Sequence, residues 1–169
     1  MIEHIHARLG ITPALLEGRA LLRYNEAEGL VAAEKAPNGR VHFLLPDAAE
    51  AWRAMRAAAQ SDGVDVHVLS GFRSFARQGE LIQVRLDGGM AIGDVLKILA
   101  PPGYSEHHTG RAVDVSTQGI KALQLEFEST PAFAWLTANA ATFGFVLSFP
   151  RNNPAGYDYE PWHWCYRAG

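Results

Sequence analysis

Val64-Asp65-Val66-His67-Val68-Leu69 is an alternating run that closes on Ser70-Gly71. Val64, Val66 and Val68 fall on one face, which is the two-residue period of a half-buried strand. Helical patterns flank it on both sides. Upstream, an Ala-rich stretch from Asp47 to Gln60 carries Trp52 and Met55 on an apolar stripe, with Asp47 as the expected N-cap. Downstream, a helix is predicted from Ser74, its expected cap, to Leu86, ending before Gly88-Gly89.

Working outward, Leu30-Val31-Ala32 and Val41-His42-Phe43-Leu44 flank Asn38-Gly39, and this predicts a hairpin over 29–45. Leu15, Leu16, Ala20, Leu21 and Leu22 lie near helical spacing and predict a helix over 13–27. A short helix is predicted from Gly93 to Leu99, stopped by Pro101. A strand over Ala112 to Val115 and a helix over 130–142 follow, the helix carrying Phe133, Trp135, Leu136 and Ala140. Gly144 to Phe149 and the aromatic-rich Glu160 to Tyr166 complete the strands. The fold class is α+β, a small, mostly antiparallel sheet with helices packed on one side.

The chain has 169 residues, the size of one domain. Residues 1–60 read as an N-terminal helix and hairpin packed on a core of 61–169. Hydrophobic residues make up 48% and charged residues 20%, which excludes disorder. The formal net charge is −3, which argues against a polyanion partner such as nucleic acid. No apolar run reaches the ~20 residues needed to span a bilayer. The start, Met1-Ile2-Glu3-His4-Ile5-His6, lacks a basic region followed by an apolar core, so no secretory signal is expected. A single cysteine, Cys165, excludes an internal disulfide.

Chemistry concentrates in Ser105-Glu106-His107-His108-Thr109-Gly110-Arg111-Ala112-Val113-Asp114 and in Glu160-Pro161-Trp162-His163-Trp164. Two histidines, an aspartate and a spare glutamate are the inventory of a catalytic zinc site. Such a site has three N/O ligands, an open position for water and a carboxylate to take the water's proton. His107 and Asp114 are seven apart and would face opposite ways on one straight strand, so Gly110 is expected to turn the chain between them. Glu160 and His163 are three apart, and Pro161 forbids a regular ladder there, so a bulge is expected to aim both into one cleft.

Plainer readings stand beside these. A lone histidine is usually a hydrogen-bonded loop residue, Asp114 could bond its own loop, and Arg73 could serve a surface salt bridge. His108 is expected in a loop role, and His4, His6, His42 and His67 match no ligand spacing. Trp162 and Trp164 are expected to pack the wall and core around His163. Cys165 would share a strand face with His163; as a fourth ligand it would close the site, and the plainer reading is a buried thiol. No Gly-x-Ser-x-Gly is present, so serine hydrolase chemistry has no support.

With Ser70-Gly71-Phe72-Arg73-Ser74 upstream, these segments resemble the zinc D-alanyl-D-alanine carboxypeptidases of the vancomycin-resistance type. That family is grouped with lysostaphin-type endopeptidases and the hedgehog signalling domain. Its three motifs occur here in order over residues 70–164. The resemblance implies a hedgehog/D-Ala-D-Ala-peptidase-like fold and one catalytic zinc ion held by His107, Asp114 and His163. It makes Glu160 the general base and acid. Arg73 becomes an electrostatic clamp on the scissile carbonyl oxygen or on a substrate carboxylate. Ser105 and Gln78 are implied as substrate contacts, and Tyr157 as a residue bordering the cleft.

The implied reaction removes the terminal D-alanine from a peptidoglycan stem peptide, as a D,D- or an L,D-carboxypeptidase. A D,D-dipeptidase, an endolysin-type endopeptidase and a non-catalytic zinc-containing binding module are the alternatives, and Glu160 favours catalysis over binding. The expected partner is a stem peptide or muropeptide, with no nucleic acid, no membrane span and a monomeric chain. Such a substrate places the protein in the periplasm or cell envelope if a leader has been trimmed, and in the cytoplasm otherwise.

Overall fold

A computed structural model describes residues 2–36 and 38–167. In chain order the elements are α1 (Ile2–Leu9), β1 (Val31–Lys35), β2 (Val41–Leu44), α2 (Pro46–Ser61), β3 (His67–Ser70) and α3 (Phe75–Asp87). Then come α4 (Ile92–Ile98), β4 (Ala112–Ser116), α5 (Pro131–Asn139), β5 (Phe145–Leu147) and β6 (His163–Tyr166). A four-stranded sheet has the order β3-β4-β6-β5, and every pairing in it is antiparallel. The hairpin β1-β2 forms a separate two-stranded sheet. The α+β class is therefore the observed one.

The period of two decides which face each strand residue serves. Val66, Val68, Val113, Val115, Trp164 and Phe145 enter the main core with Trp52 and Met55 of α2 and Leu136 of α5. Burying each such large side chain stabilises the fold by about 1.5–3 kcal/mol. Asp114 and His163 lie on the opposite face and sit directly across from each other in the β4-β6 register. A second, smaller core joins Leu9, Ile82, Val95 and Leu96, and so ties α1 to α3 and α4. The hairpin is fastened to the sheet by Glu34. Its carboxylate accepts from Trp52 Nε1 at 2.8 Å and from the Val68 backbone at 3.3 Å, which covers the edge strand β3. Among the described residues, no helix is long and apolar enough to cross a membrane.

Four local expectations need correction. The helix over 13–27 does not form; a single 3-10 turn at Pro13–Leu15 runs into a further turn and then chain without regular secondary structure. Gly18 and Gly29 adopt positive φ, and the backbone bonds outward instead. Ala20 N–H donates to Pro154 O, Tyr24 N–H to Gly103 O and Ala27 N–H to His108 O. Helix α2 starts from Leu45 with Pro46 in its first turn, and Asp47 instead pairs with Arg111 at 2.9 Å. Strand β3 begins at His67 rather than at Val64. Glu160 lies in a turn closed by His163 N–H on Glu160 O at 3.1 Å, not in a bulge, and β6 begins at His163.

Gly110 is a tight point of the loop that leads into β4. It has φ +66°, and an added Cβ would lie 2.8 Å from Leu30 Cδ2 and 3.2 Å from Leu45 N. A non-glycine residue in that conformation costs about 1–3 kcal/mol before any clash. Gly110→Ala is therefore expected to lower unfolding stability by at least that amount in urea titration. An unchanged midpoint would mean the loop relaxes freely.

Candidate metal centre and active site

Three elements bring the ligands together. His107 sits on a 3-10 turn (Glu106–Thr109) capped by Ser105, whose Oγ accepts from His107 N–H at 3.3 Å. Gly110 turns the chain into β4, where Asp114 projects from the face opposite the core, and His163 opens β6 beside it. His107, Asp114 and His163 each offer one ligand atom, all within 4.8 Å of one another, and all three side chains are buried.

His107 shows what the cluster is for. Its Nδ1–H donates to Gly71 O at 2.7 Å, so Nε2 carries a bare lone pair. That atom is buried, makes no hydrogen bond, and lies 3.2 Å from Asp114 Oδ2. Two acceptors facing each other need a cation or a proton between them. Burial and the neighbouring Arg73 hold His107 down to about 4, so at neutral pH no proton bridges the pair. A divalent cation fits the gap.

The other groups are set by their neighbours. Burial alone would raise Asp114, but His107, His163 and Arg73 outweigh it and hold the carboxyl well below its usual range. Burial would lower His163. Asp114 Oδ1 at 3.1 Å from Nδ1 and Glu106 Oε2 at 3.0 Å from Nε2 instead push it up to about 10. Glu160 Oε2 lies 3.7 Å from His163 Nδ1 without joining the ligand set. Burial, only partly offset by His163 and Arg73, pushes Glu160 up to about 7.

Arg73 leaves β3 and spends its guanidinium on three partners. Nε donates to Ser70 Oγ at 3.1 Å, Nη1 to Gln78 Oε1 at 3.0 Å and Nη2 to Asp114 Oδ2 at 2.7 Å. Gln78 is fully buried, and its Nε2 donates to Ala100 O at 2.8 Å. Gln78 holds Arg73, and Ser105 caps the turn that carries His107. Tyr157 stands behind Phe149, its ring 4.9 Å from that ring, while Phe149 lies 4.7 Å from the His163 ring. The Tyr157 hydroxyl is buried without a hydrogen-bond partner, and burial pushes it up.

His108 takes a loop role. It donates from Nδ1 to Arg73 O at 2.7 Å and accepts at Nε2 from Gly103 N–H at 3.1 Å, which locks Arg73 to the loop. Cys165 stays outside the ligand group, and burial with nearby Glu106 pushes its thiol up to about 12. Sequence reasoning assigned no role to Glu106 or Arg167. The first stands beside His107 in the motif, but nothing in its spacing says that it reaches His163.

Two imidazoles and a carboxylate converging on one point, with a free carboxylate alongside, make the donor set of a mononuclear hydrolytic metal site. A family model for D-alanyl-D-alanine carboxypeptidases, VanY, matches residues 41–169, and the chain belongs to that family. It is 35% identical over 130 residues to the YodJ protein of Bacillus subtilis (strain 168), covering 73% of this chain and 46% of that protein. The chain thus spans less than half the length of that relative, as it does of two enterococcal D-alanyl-D-alanine carboxypeptidases, at 42% and 36%.

Among solved structures, the LdcB LD-carboxypeptidase is similar at a TM-score of 0.71 and 32% identity, covering 83% of this chain and 69% of that one. The vancomycin-resistance D,D-pentapeptidase VanY in complex with Zn(II) is similar at 0.66 and 27% identity, covering 86% of this chain and 82% of that one.

Zinc titration of the metal-free protein at pH 7 is expected to saturate near one ion per chain. Calorimetry in buffers of different ionisation enthalpy should report release of about one proton, displaced from His163 Nδ1. His107→Ala and Asp114→Asn should each weaken binding by more than about 100-fold, beyond the usual outer-shell effect. Binding with no proton release would mean that His163 is already neutral in the metal-free protein.

Proposed function

We propose that the protein is a zinc-dependent carboxypeptidase that removes the terminal D-alanine from peptidoglycan stem peptides. The observation that carries this reading is the bare Nε2 of His107 facing the Asp114 carboxylate, with Glu160 beside the cluster but outside it. The solved relatives act on this class of substrate by their names, one as an LD-carboxypeptidase and one as a D,D-pentapeptidase with Zn(II).

His107 Nε2, Asp114 and His163 Nδ1 would hold the ion, which when bound supplies a Lewis acid and an acidified water. Glu160 takes the proton of the attacking water and returns it to the leaving amino group of D-alanine. A carboxylate raised toward neutrality suits both halves of that transfer. Arg73 keeps its charge despite burial, because guanidinium deprotonates only at extreme pH, and it offers that charge to a developing oxyanion or to the substrate's terminal carboxylate. Phe149 packs against His163 and keeps water from that side of the ring. Both the D,D and the L,D variant of the reaction use these same groups, and the length and stereochemistry of the peptide end decide between them.

The test is hydrolysis of a pentapeptide ending in D-Ala-D-Ala, a tetrapeptide ending in one D-Ala, and free D-Ala-D-Ala. Each is run with zinc-loaded wild type and with Glu160→Gln. Wild type is expected to release D-alanine, and the variant to lose about 10²–10⁴-fold in kcat while keeping its zinc. Because Glu160 must be ionised to act as base, kcat/KM should rise with pH through a limb at or below about 7, since a nearby cation favours the carboxylate. That limb should vanish in Glu160→Gln. Stoichiometric zinc without cleavage of any of the three peptides would overturn the reading.

A further inference from the structure

One short turn carries both a ligand and the partner of another ligand. Glu106 is adjacent to His107, yet its side chain reaches across to β6. Its Oε2 lies 3.0 Å from His163 Nε2, and its Oε1 pairs with Arg167 Nη2. Glu106 is 5% exposed, so this carboxylate is buried in the interior much as the ligands are. Arg167 follows β6 directly, its N–H donates to Gly144 O at 2.7 Å, and the Tyr24 hydroxyl of the N-terminal segment also faces it.

The His163 ring has two nitrogens, and their surroundings differ. Nδ1 faces Asp114 and Glu160, whereas Nε2 faces Glu106. Rotation of the ring about its Cβ–Cγ bond would swing Nδ1 away from Asp114 and put a carbon in its place. Phe149 and His107 pack against the ring at 4.7 and 4.9 Å, but ring contacts do not distinguish nitrogen from carbon. A hydrogen bond to Nε2–H does. An anionic acceptor there also makes Nδ1 a stronger donor.

We propose that Glu106 is a positioning residue for the metal centre: its carboxylate, anchored by Arg167, holds Nε2–H of His163 so that Nδ1 is the atom presented to the cation. This rests on the reading of His107, Asp114 and His163 as ligands. Arg167 keeps the carboxylate aimed and prevents it from turning toward the cation as a competing ligand.

The experiment compares wild type, Glu106→Gln, Glu106→Ala and Arg167→Gln. Zinc affinity is read by chelator competition, ligand geometry by the visible spectrum of the cobalt-substituted proteins, and the bond by the Nε2–H proton resonance of His163 in the zinc form. Melting of the metal-free proteins reports their fold. Glu106→Ala is expected to bind zinc about 10- to 100-fold more weakly, with an altered cobalt spectrum and an upfield shift of the Nε2–H resonance. Glu106→Gln keeps a neutral acceptor and should fall between wild type and Glu106→Ala, with a spectrum of wild-type shape.

A merely structural tie between the turn and β6 predicts something else. Glu106→Gln and Arg167→Gln would then melt equally early, with zinc affinities within twofold of wild type and an unmoved resonance, and that result overturns the proposal. A wild-type protein that binds no zinc overturns the metal reading and this inference with it. Wild-type binding with unchanged Glu106 variants overturns this inference alone.

Discussion

Asp114 is a buried negative charge, and much of this fold can be understood as what its burial demands. Taking a carboxylate out of water costs several kcal/mol unless it is paired and hydrogen-bonded. Here each oxygen is met from a different strand. Arg73, at the end of β3, reaches Oδ2 at 2.7 Å, and His163, at the start of β6, reaches Oδ1 at 3.1 Å. Both can arrive only because β4 lies between β3 and β6 in the sheet. The register finishes the placement by setting Asp114 opposite His163 and Val113 opposite Trp164. A one-residue slip would put the charge into the main core and the valine into the site.

Arg73 is itself held, and the second core serves that purpose. Gln78 fixes one guanidinium nitrogen and belongs to α3, whose other face packs with α1 and α4 through Ile82, Leu9 and Val95. Gly79 follows Gln78 and lets α1 approach so closely that an added Cβ would lie 2.9 Å from Ile5 Cγ2. His108 fixes the Arg73 carbonyl from the loop that carries His107. The Arg73 guanidinium and backbone are therefore set by a helix, a strand end and a loop at once. Supporting residues of this kind keep a site within the narrow geometry that chemistry needs.

The sequence made legible what depends on local period and on dense motifs. Alternation in Val64 to Leu69, the Asn38-Gly39 turn and the Ser74 cap depend on neighbours in the chain, and the cap is seen accepting from Arg77 N–H at 3.1 Å. The His107, Asp114 and His163 cluster was readable because its residue types and order are unusual. The stretch after Leu16 was not readable. Its leucines have helical spacing, but its backbone donors find acceptors at Pro154, Gly103 and His108, far along the chain. Tertiary bonds of that range override a weak local preference. Helix α1 over Ile2–Leu9 had no counterpart in the sequence reading, which placed the N-terminal helix at 13–27. The role of Glu106 was hidden for the same reason as the stretch after Leu16: its partner is 57 positions away.

Three carboxylates crowd this centre, and their surroundings divide the work among them. Asp114 has a cation or an imidazole on each oxygen and stays ionised. Glu106 lies between His163 and Arg167, which outweigh its burial and hold it down to about 2. Among the described residues, Glu160 meets His163 at 3.7 Å, and burial, only partly offset by His163 and Arg73, lifts it to about 7. Pairs of acids pushed apart by their environments mark which one exchanges protons. Glu160, with the poorest set of partners, therefore stands nearest to neutrality of the three, whereas the partners of Asp114 and Glu106 hold both as anions.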